Sequence, residues 1–365
     1  MAVRRPKLAP LLMGALAIGL LVVLGVQQAP EVRSSLRTFG HLHWGWLAWA
    51  LGAQAGSMAA LAHSQRQLLQ VNGTKVSARS TMAVAYASNA LSVSLPLAGA
   101  SVGTAFSFRQ FRRRGVDTAT ASWALTVSGV MSSIAFALLM TVGALLTDSP
   151  TGATIGLSGA AATALPMLAL LLSLRFGNIR HSLNGAARWL VGRSRRWFDR
   201  PGEDAADAFE KILNQAAALR ATPRQYGIAF FMSLRNWTAD CVCLGASIAA
   251  TGAHVPLRGL LLAYCLAMAA GSFGITPGGV GVVELALTAS LVAAHMPADQ
   301  ALAAVVIYRL ISFWLVMVIG WILVARLSSR GRATADEAAV PLREAVGEAP
   351  ASSQSSPPET SVPLG

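Results

Sequence analysis

The stretch Ser272-Phe273-Gly274-Ile275-Thr276-Pro277-Gly278-Gly279-Val280-Gly281-Val282-Val283-Glu284 interrupts an apolar run that extends from 258 to 296. Proline cannot supply the helical N–H and glycine is a poor helix former, so Pro277 and the glycines around it stop a helix in mid-run. Broken backbone at membrane depth is tolerated only where protein buries it or a cavity borders it. The run therefore reads as two helical arms interrupted inside a membrane. A second run, 80 to 108, carries Asn89, Pro96, Gly99 and Gly103 and reads the same way.

Outward from these breaks the chain is apolar. Of its 365 residues 54% are apolar and 12% charged, against about 45–50% and about 25% in soluble domains. With a mean hydropathy of +0.53, an ordinary soluble enzyme is excluded, and a polytopic all-α membrane protein is expected. Further apolar runs lie near 43 to 63, 118 to 146, 152 to 174, 225 to 250 and 301 to 326. Another follows the basic residues 1 to 7. It is longer than a signal-peptide core and lacks a small-x-small cleavage site, so it reads as an uncleaved first span.

The 29 Lys and Arg against 16 Asp and Glu give a net charge of +13. In a soluble protein this balance suggests nucleic acid. Here the basic residues crowd into loops between apolar runs, where they orient the chain and meet lipid, and no nucleic-acid partner is expected. Cytoplasmic loops are the basic ones. That places the N-terminus, the loop 64 to 79, the loop 109 to 117 with Arg112-Arg113-Arg114, the loop 175 to 224 and the tail from 327 on the cytoplasmic side.

One simple span cannot join two cytoplasmic loops, so 80 to 108 is a hairpin entering from the cytoplasm. Its halves reach roughly 20 Å, against a hydrocarbon core of about 30 Å. By the same count 258 to 296 begins and ends outside, and its length suits arms that either dip or cross. The chain thus reads as an inverted repeat of three spans plus one broken re-entrant hairpin each, within a transmembrane domain 8–326. An offset of 182 lays Gly99 on Gly281, Asp117 on Asp299 and Ala119 on Ala301, while Pro96 and Pro277 differ by 181. Inverted repeats with discontinuous helices build alternating-access transporters, whose site lies where the breaks meet. Residues 327 to 365, rich in Pro and Ser, read as a disordered cytoplasmic tail.

The candidate binding residues cluster at the breaks. Pro277, Gly278, Gly279, Gly281 and Glu284 offer freed N–H groups and a helix N-terminus suited to an anion or polar head group, or else serve close packing and a kink. Arg309, beside Tyr308 in the last span, needs a partner. Glu284 or Asp299 could neutralise it, or a phosphate could. Arg235, Asn236 and Asp240 form a second polar cluster that either lines the same cavity or snorkels. Asn89, Pro96 and Gly99, with Ser92 to Ser94, add uncharged groups at the first break.

Several chemistries have no residues to carry them. There is no phosphate-binding loop for ATP hydrolysis, no dinucleotide fingerprint, no zinc spacing and no nameable nucleophile and base pair. Neither a cofactor nor enzymatic activity is expected. Cys241, Cys243 and Cys265 lie in apolar segments and read as small core residues.

Pro277-Gly278-Gly279-Val280-Gly281-x-x-Glu284, then Tyr308-Arg309 and Gly320, with Asn89, Pro96, Gly99 and Arg112-Arg113-Arg114-Gly115-Val116, resemble a known pattern. It is that of the lysylphosphatidylglycerol synthase transmembrane-region family of flippase-like bacterial membrane proteins. The resemblance covers roughly residues 8 to 326. It implies a protein of the cytoplasmic membrane that moves or handles lipids or lipid-linked molecules. Some members carry a fused synthase domain that aminoacylates phosphatidylglycerol; only about 30 tail-like residues follow the last span here, and aminoacyl transfer is not expected. Relatives also carry an acidic residue and an arginine around the first hairpin and its next span, where this chain has Ala100 and Thr126. The leading expectation is a translocase for a lipid or lipid-linked anionic substrate. The alternative is a non-transporting membrane partner of a separate lipid-modifying or glycosyl-transferring enzyme, with the basic loop and tail as contact surfaces.

Overall fold

The computed structural model describes residues 42–71, 73–175, 222–274 and 276–329. The expected first span, most of the basic loop 175 to 224 and most of the tail lie outside the described residues. The chain divides into two units, 1–323 and 324–365. In the second, residues 324 to 329 are helical, and the Ser329 hydroxyl donates to the Arg326 carbonyl at 3.0 Å.

All the regular structure among the described residues is helical. In chain order it comprises α1 (Trp44–Leu69), α2 (Ala78–Ser94), α3 (Gly99–Arg112), α4 (Thr118–Leu146), α5 (Pro150–Arg175), α6 (Pro223–Ala250), α7 (Leu257–Ser272), a short turn Pro277–Gly279 and α8 (Val282–Ala293). Last comes α9 (Ala298–Ser329). Three of these, α4, α9 and the Pro150–Leu170 part of α5, are long and apolar enough to cross a membrane. α1 and α6 have the length but carry polar residues, several of which, among them Gln54, Ser57, Ser64, Ser233 and Ser247, are buried.

The apolar run 118 to 146 coincides with α4. Its start is fixed by Asp117, whose Oδ1 accepts from the Thr120 N–H at 2.9 Å as an N-cap. α6 starts in a capping box, Thr222 with Gln225, and has Pro223 in its first turn, where the missing N–H costs nothing. At the start of α1 Trp44, Trp46 and Trp49 stand exposed, as aromatic residues do at a membrane interface.

α1 and α6 form the tightest pair. The His43 N–H donates to the Ala250 carbonyl at 3.0 Å, the Asn236 amide to the Ser57 carbonyl at 2.9 Å, and the Ser64 hydroxyl to the Ala229 carbonyl at 3.3 Å. These pairs run in one constant antiparallel register. Small residues on both faces, Ala50, Ser57, Ala60 and Ser64 against Ala229, Ser233, Cys243 and Ala250, let the two backbones approach.

Both broken runs are hairpins. Leu95, pressed by Pro96, leaves the helical region (φ −116, ψ 123) and ends α2. α3 then returns along it: a Cβ on Gly99 would strike the Ser92 carbonyl, and one on Gly103 the Ser92 and Ser88 groups. At the hairpin's base the loop after α3 meets the first turn of α2, since Arg114 Nε donates to Ser80 Oγ. The second hairpin, α7 with α8, has its base at the other end of α4, where Arg258 pairs with Asp148 at 3.4 Å. The hairpins therefore enter the bundle from opposite ends, and their tips touch: the Leu97 N–H donates to the Gly274 carbonyl at 3.0 Å.

Candidate functional site

Where the tips meet, a cavity of about 520 Å³ opens. It is walled by Asn89, Leu95, Leu97 and Gly99 of the first hairpin, and by Gly271, Gly274, Gly278 and Gly279 of the second. The long helices complete it with Gln54, Ser57, Ser132, Asn236, Asp240, Tyr308 and Arg309.

The glycine motif owes its shape to backbone angles. Gly278, Gly279 and Gly281 adopt φ of 59°, 68° and 84°, where any other L-residue is strained, and a Cβ on Gly278 would enter the Phe313 ring. This winding presents the Gly278 carbonyl to Arg309, whose Nη2 donates to it at 3.1 Å. Arg309 Nε donates to Glu284 Oε1 at 2.6 Å, and the guanidinium lies 4.2 Å from the Phe313 ring centre. Glu284 Oε2 in turn accepts the Gly281 N–H at 2.7 Å, reaching back to the start of α8. One ion pair thus closes the motif, holds the helix N-terminus and borders the cavity. Arg309 itself is only 7% exposed. Asp299, the other candidate partner, stands exposed in the first turn of α9, on the order of 15 Å along the helix from Arg309.

Asp240 lies across the cavity. Its Oδ2 accepts two phenolic hydroxyls, from Tyr264 at 2.6 Å and Tyr308 at 2.9 Å, whereas Oδ1 is buried with no partner among the described residues. Asn236, one turn earlier on α6, spends its amide on the Ser57 carbonyl and, at 2.8 Å, the Ser57 hydroxyl. The adjacent Trp237 donates to Ser132 on α4, at 3.1 Å to the carbonyl and 3.0 Å to the hydroxyl. Gln54, also in the cavity wall, carries a second buried acceptor with no partner among the described residues, Oε1.

The structure brings most of the sequence-derived candidates together and sets one apart. Asn89, Gly99, Asn236, Asp240, Gly278, Gly279, Tyr308 and Arg309 line the cavity. Pro277, Gly281 and Glu284 frame it through the motif, and Pro96 forms the first break. Arg235 faces the other way. Its five-residue step from Asp240 turns it to an open groove of about 870 Å³ between α1 and α6, walled by Trp49, Phe231, Leu234 and Val242. The walls of that groove are apolar and it faces outward; the converging polar groups are in the central cavity.

A third cavity of about 230 Å³ shares Leu61, Asn89, Ser92 and Ser132 with the central one and continues past Ser88, Ser107 and Ser128 to Gln65. In the loop after α3, burial and the neighbouring Arg113 push the Arg114 guanidinium below the ordinary arginine value. Arg114 Nη1 donates there to the Gln110 carbonyl at 2.5 Å and side-chain oxygen at 2.8 Å.

Sequence reasoning passed over Gln54, Ser57, Ser132 and Tyr264. Tyr264 carried a usable signal: a carboxyl in mid-span demands hydroxyl or N–H donors, and the chain has only four tyrosines.

The model of the lysylphosphatidylglycerol synthase TM region matches residues 11–320, so the match takes in both hairpins and the whole cavity. The chain belongs to this family. Two relatives are similar to its parts: a UPF0104 membrane protein of Methanothermobacter thermautotrophicus and another of Pyrococcus horikoshii. Each is 25% identical over 124 residues, which is 32% of this chain and 37% of the relative. The matched stretch thus spans little more than a third of these relatives. As a member of the family the chain is an integral, multi-pass membrane protein.

Proposed function

We propose that this chain translocates a lipid or lipid-linked substrate across the cytoplasmic membrane by alternating access. The observation that carries the reading is the meeting of two broken hairpins, entering from opposite ends, at one polar cavity. Discontinuous helices at corresponding positions of two halves are how transporters place a site at the membrane midplane. The polar head of the substrate would enter the cavity while its acyl chains stay in the bilayer. Arg309 has N–H donors beyond those given to Glu284 and Gly278 and would meet an anionic part of the head group. The two hairpins share a short tip contact, so the tips can part while the α1–α6 pair holds the bundle together. We take the basic ends of α1 and α3 as cytoplasmic, with both termini on that side. On this reading the chain carries out no covalent chemistry.

The test is reconstitution of the purified protein in liposomes with fluorescent phosphatidylglycerol and its aminoacylated form. Movement faster than in protein-free vesicles, lost in a folded Arg309 variant, is the expected outcome. No movement of either lipid by well-folded protein overturns the reading for phospholipids and shifts weight to a role as membrane partner of a separate enzyme.

A further inference from the structure

Asp240 and Arg309 line the central cavity and Glu284 stands behind Arg309, so with all three ionised the cluster carries one negative charge in excess. Glu284 is committed to Arg309 and to the Gly281 N–H. Asp240 is committed through one oxygen only, to two hydroxyls.

Its other oxygen, Oδ1, is buried without a partner, and so is Oε1 of Gln54. The antiparallel register of α1 and α6, fixed by the contacts of His43 with Ala250, Ser57 with Asn236 and Ser64 with Ala229, sets Gln54 level with Ala239. The two orphan atoms therefore belong to neighbouring positions of one helix pair, on residues that both line the cavity. Both are acceptors when Asp240 is ionised, and two acceptors cannot satisfy each other. A proton on Oδ1 converts one into a donor, removes the excess charge and leaves Oδ2 free to keep its tyrosine bonds. A carboxylic acid of this kind is the cheaper form at membrane depth.

We propose that Asp240 is a proton-binding site. In one state it is a neutral acid whose Oδ1–H is shared with the Gln54 amide oxygen, and in the other an ionised carboxylate that has released this proton to water on the side to which the cavity opens. Movement of the cavity's ligand is thereby coupled to a proton. The titratable groups around Asp240 are Tyr264 and Cys265 on α7, Tyr308 and Arg309 on α9, and Cys241 and Cys243 on its own helix, with Glu284 of α8 behind Arg309. α1 and α4 bring only neutral groups, Gln54, Ser57 and Ser132, to this level. Arg309, the cation that faces Asp240, is already neutralised by Glu284.

The inference rests on the transport reading for its coupling but not for its site, and two measurements keep them apart. Infrared difference spectra of the full chain in lipid nanodiscs, recorded across a pH series, should show a protonated-carboxyl band. That band should be lost in Asp240→Asn and shifted to the free-carbonyl position in Gln54→Leu. Asn keeps an acceptor for the tyrosines, so Asp240→Asn should fold, and an unchanged elution profile checks that it does. In the second measurement, fluorescent phosphatidylglycerol is equilibrated in phosphatidylcholine vesicles across a gradient of about one pH unit. Coupling of one proton per lipid biases its distribution about tenfold, because that gradient is worth about 1.4 kcal/mol; the bias should vanish in Asp240→Asn. An Asp240-dependent band with no lipid movement keeps the proton site and refutes phospholipid transport. Lipid movement with neither the band nor the bias overturns the proton site and keeps the transport reading.

Discussion

Replacing Arg309 by Met, Glu284 by Gln, and then both together separates a structural ion pair from a working arginine. Removing one partner of a fully buried pair costs about 3–5 kcal/mol, because the other charge is stranded. Here Arg309 Nε and Glu284 Oε1 lie 2.6 Å apart, but the Glu284 side chain is 25% exposed. It also keeps the Gly281 N–H. Water and the helix N-terminus then carry part of the stranded charge, which scales the cost of Arg309→Met to about 2–4 kcal/mol. Glu284→Gln leaves Arg309 with the Gly278 carbonyl and the Phe313 ring and costs a similar amount. The double variant removes both charges and should lose no more than about 2 kcal/mol, so the coupling between the two sites is at least about 2 kcal/mol. Denaturant unfolding in mixed micelles, followed by tryptophan fluorescence, measures each corner of the cycle. Effects that simply add, to within about 0.5 kcal/mol, would refute the ion-pair account. Lipid transport by the folded double variant then decides the second question, and loss of transport is the expected result.

Three other perturbations test parts of the same architecture. Gly278→Ala forces a side chain into φ +59° and against Phe313; about 2–4 kcal/mol of destabilisation is expected by the same unfolding assay, partly relieved by trimming Phe313. Asp117→Ala removes the N-cap of α4 and should cost about 1 kcal/mol. Burial alone would raise the Asp117 carboxyl, but its hydrogen bonds from Thr120 and the first-turn N–H groups outweigh it and hold the carboxyl below the usual range. Its stabilisation is therefore complete above that range and lost as pH falls through the lowered value, and the Ala variant should lack this acid dependence in a melting-temperature series. Finally, Leu97→Cys with Gly274→Cys places two thiols at the touching tips. Oxidation should arrest lipid movement in liposomes and reductant restore it, whereas unchanged movement when cross-linked would show that the tips do not part.

The hairpins and α4 were legible in the sequence because their determinants are local. Pro96, Pro277 and the glycines break helices wherever they stand, and Asp117 caps whatever helix follows it. The Glu284–Arg309 pair was legible as one of two pairings because charges in an apolar run must find each other. α1 outlasts its apolar run and continues to Leu69, past Arg66, whose Nε turns out to the Val76 carbonyl at 2.9 Å instead of ending the helix. The surroundings of Asp240 were not legible. Gln54 and Ser57 reach it through the α1 and α6 register, Asn236 and Ser57 being 179 residues apart, and no local pattern encodes that juxtaposition. Arg235 shows the converse, since its proximity in sequence to Asp240 hid a rotation of the helix that points it outward.

α9 contains one wide turn, Leu310–Leu315, wound as a π-helix immediately after Arg309. Such a turn inserts one residue into the helical count and so shifts the angular phase of everything after it by roughly 100°. Before the turn, Ala304, Val305, Ile307 and Tyr308 pack with α6, α7 and α8 around the second hairpin. After it, Met317 packs with Ala90 and Val93, Trp321 donates to Ser94 at 3.1 Å, and Gly320 lies against the Tyr86 carbonyl of the first hairpin. α9 is in effect two helices spliced out of phase, each cut to fit a different half of the protein. Deleting a single residue between 310 and 315 would restore an even winding and leave one of the two halves facing the wrong side of its own helix.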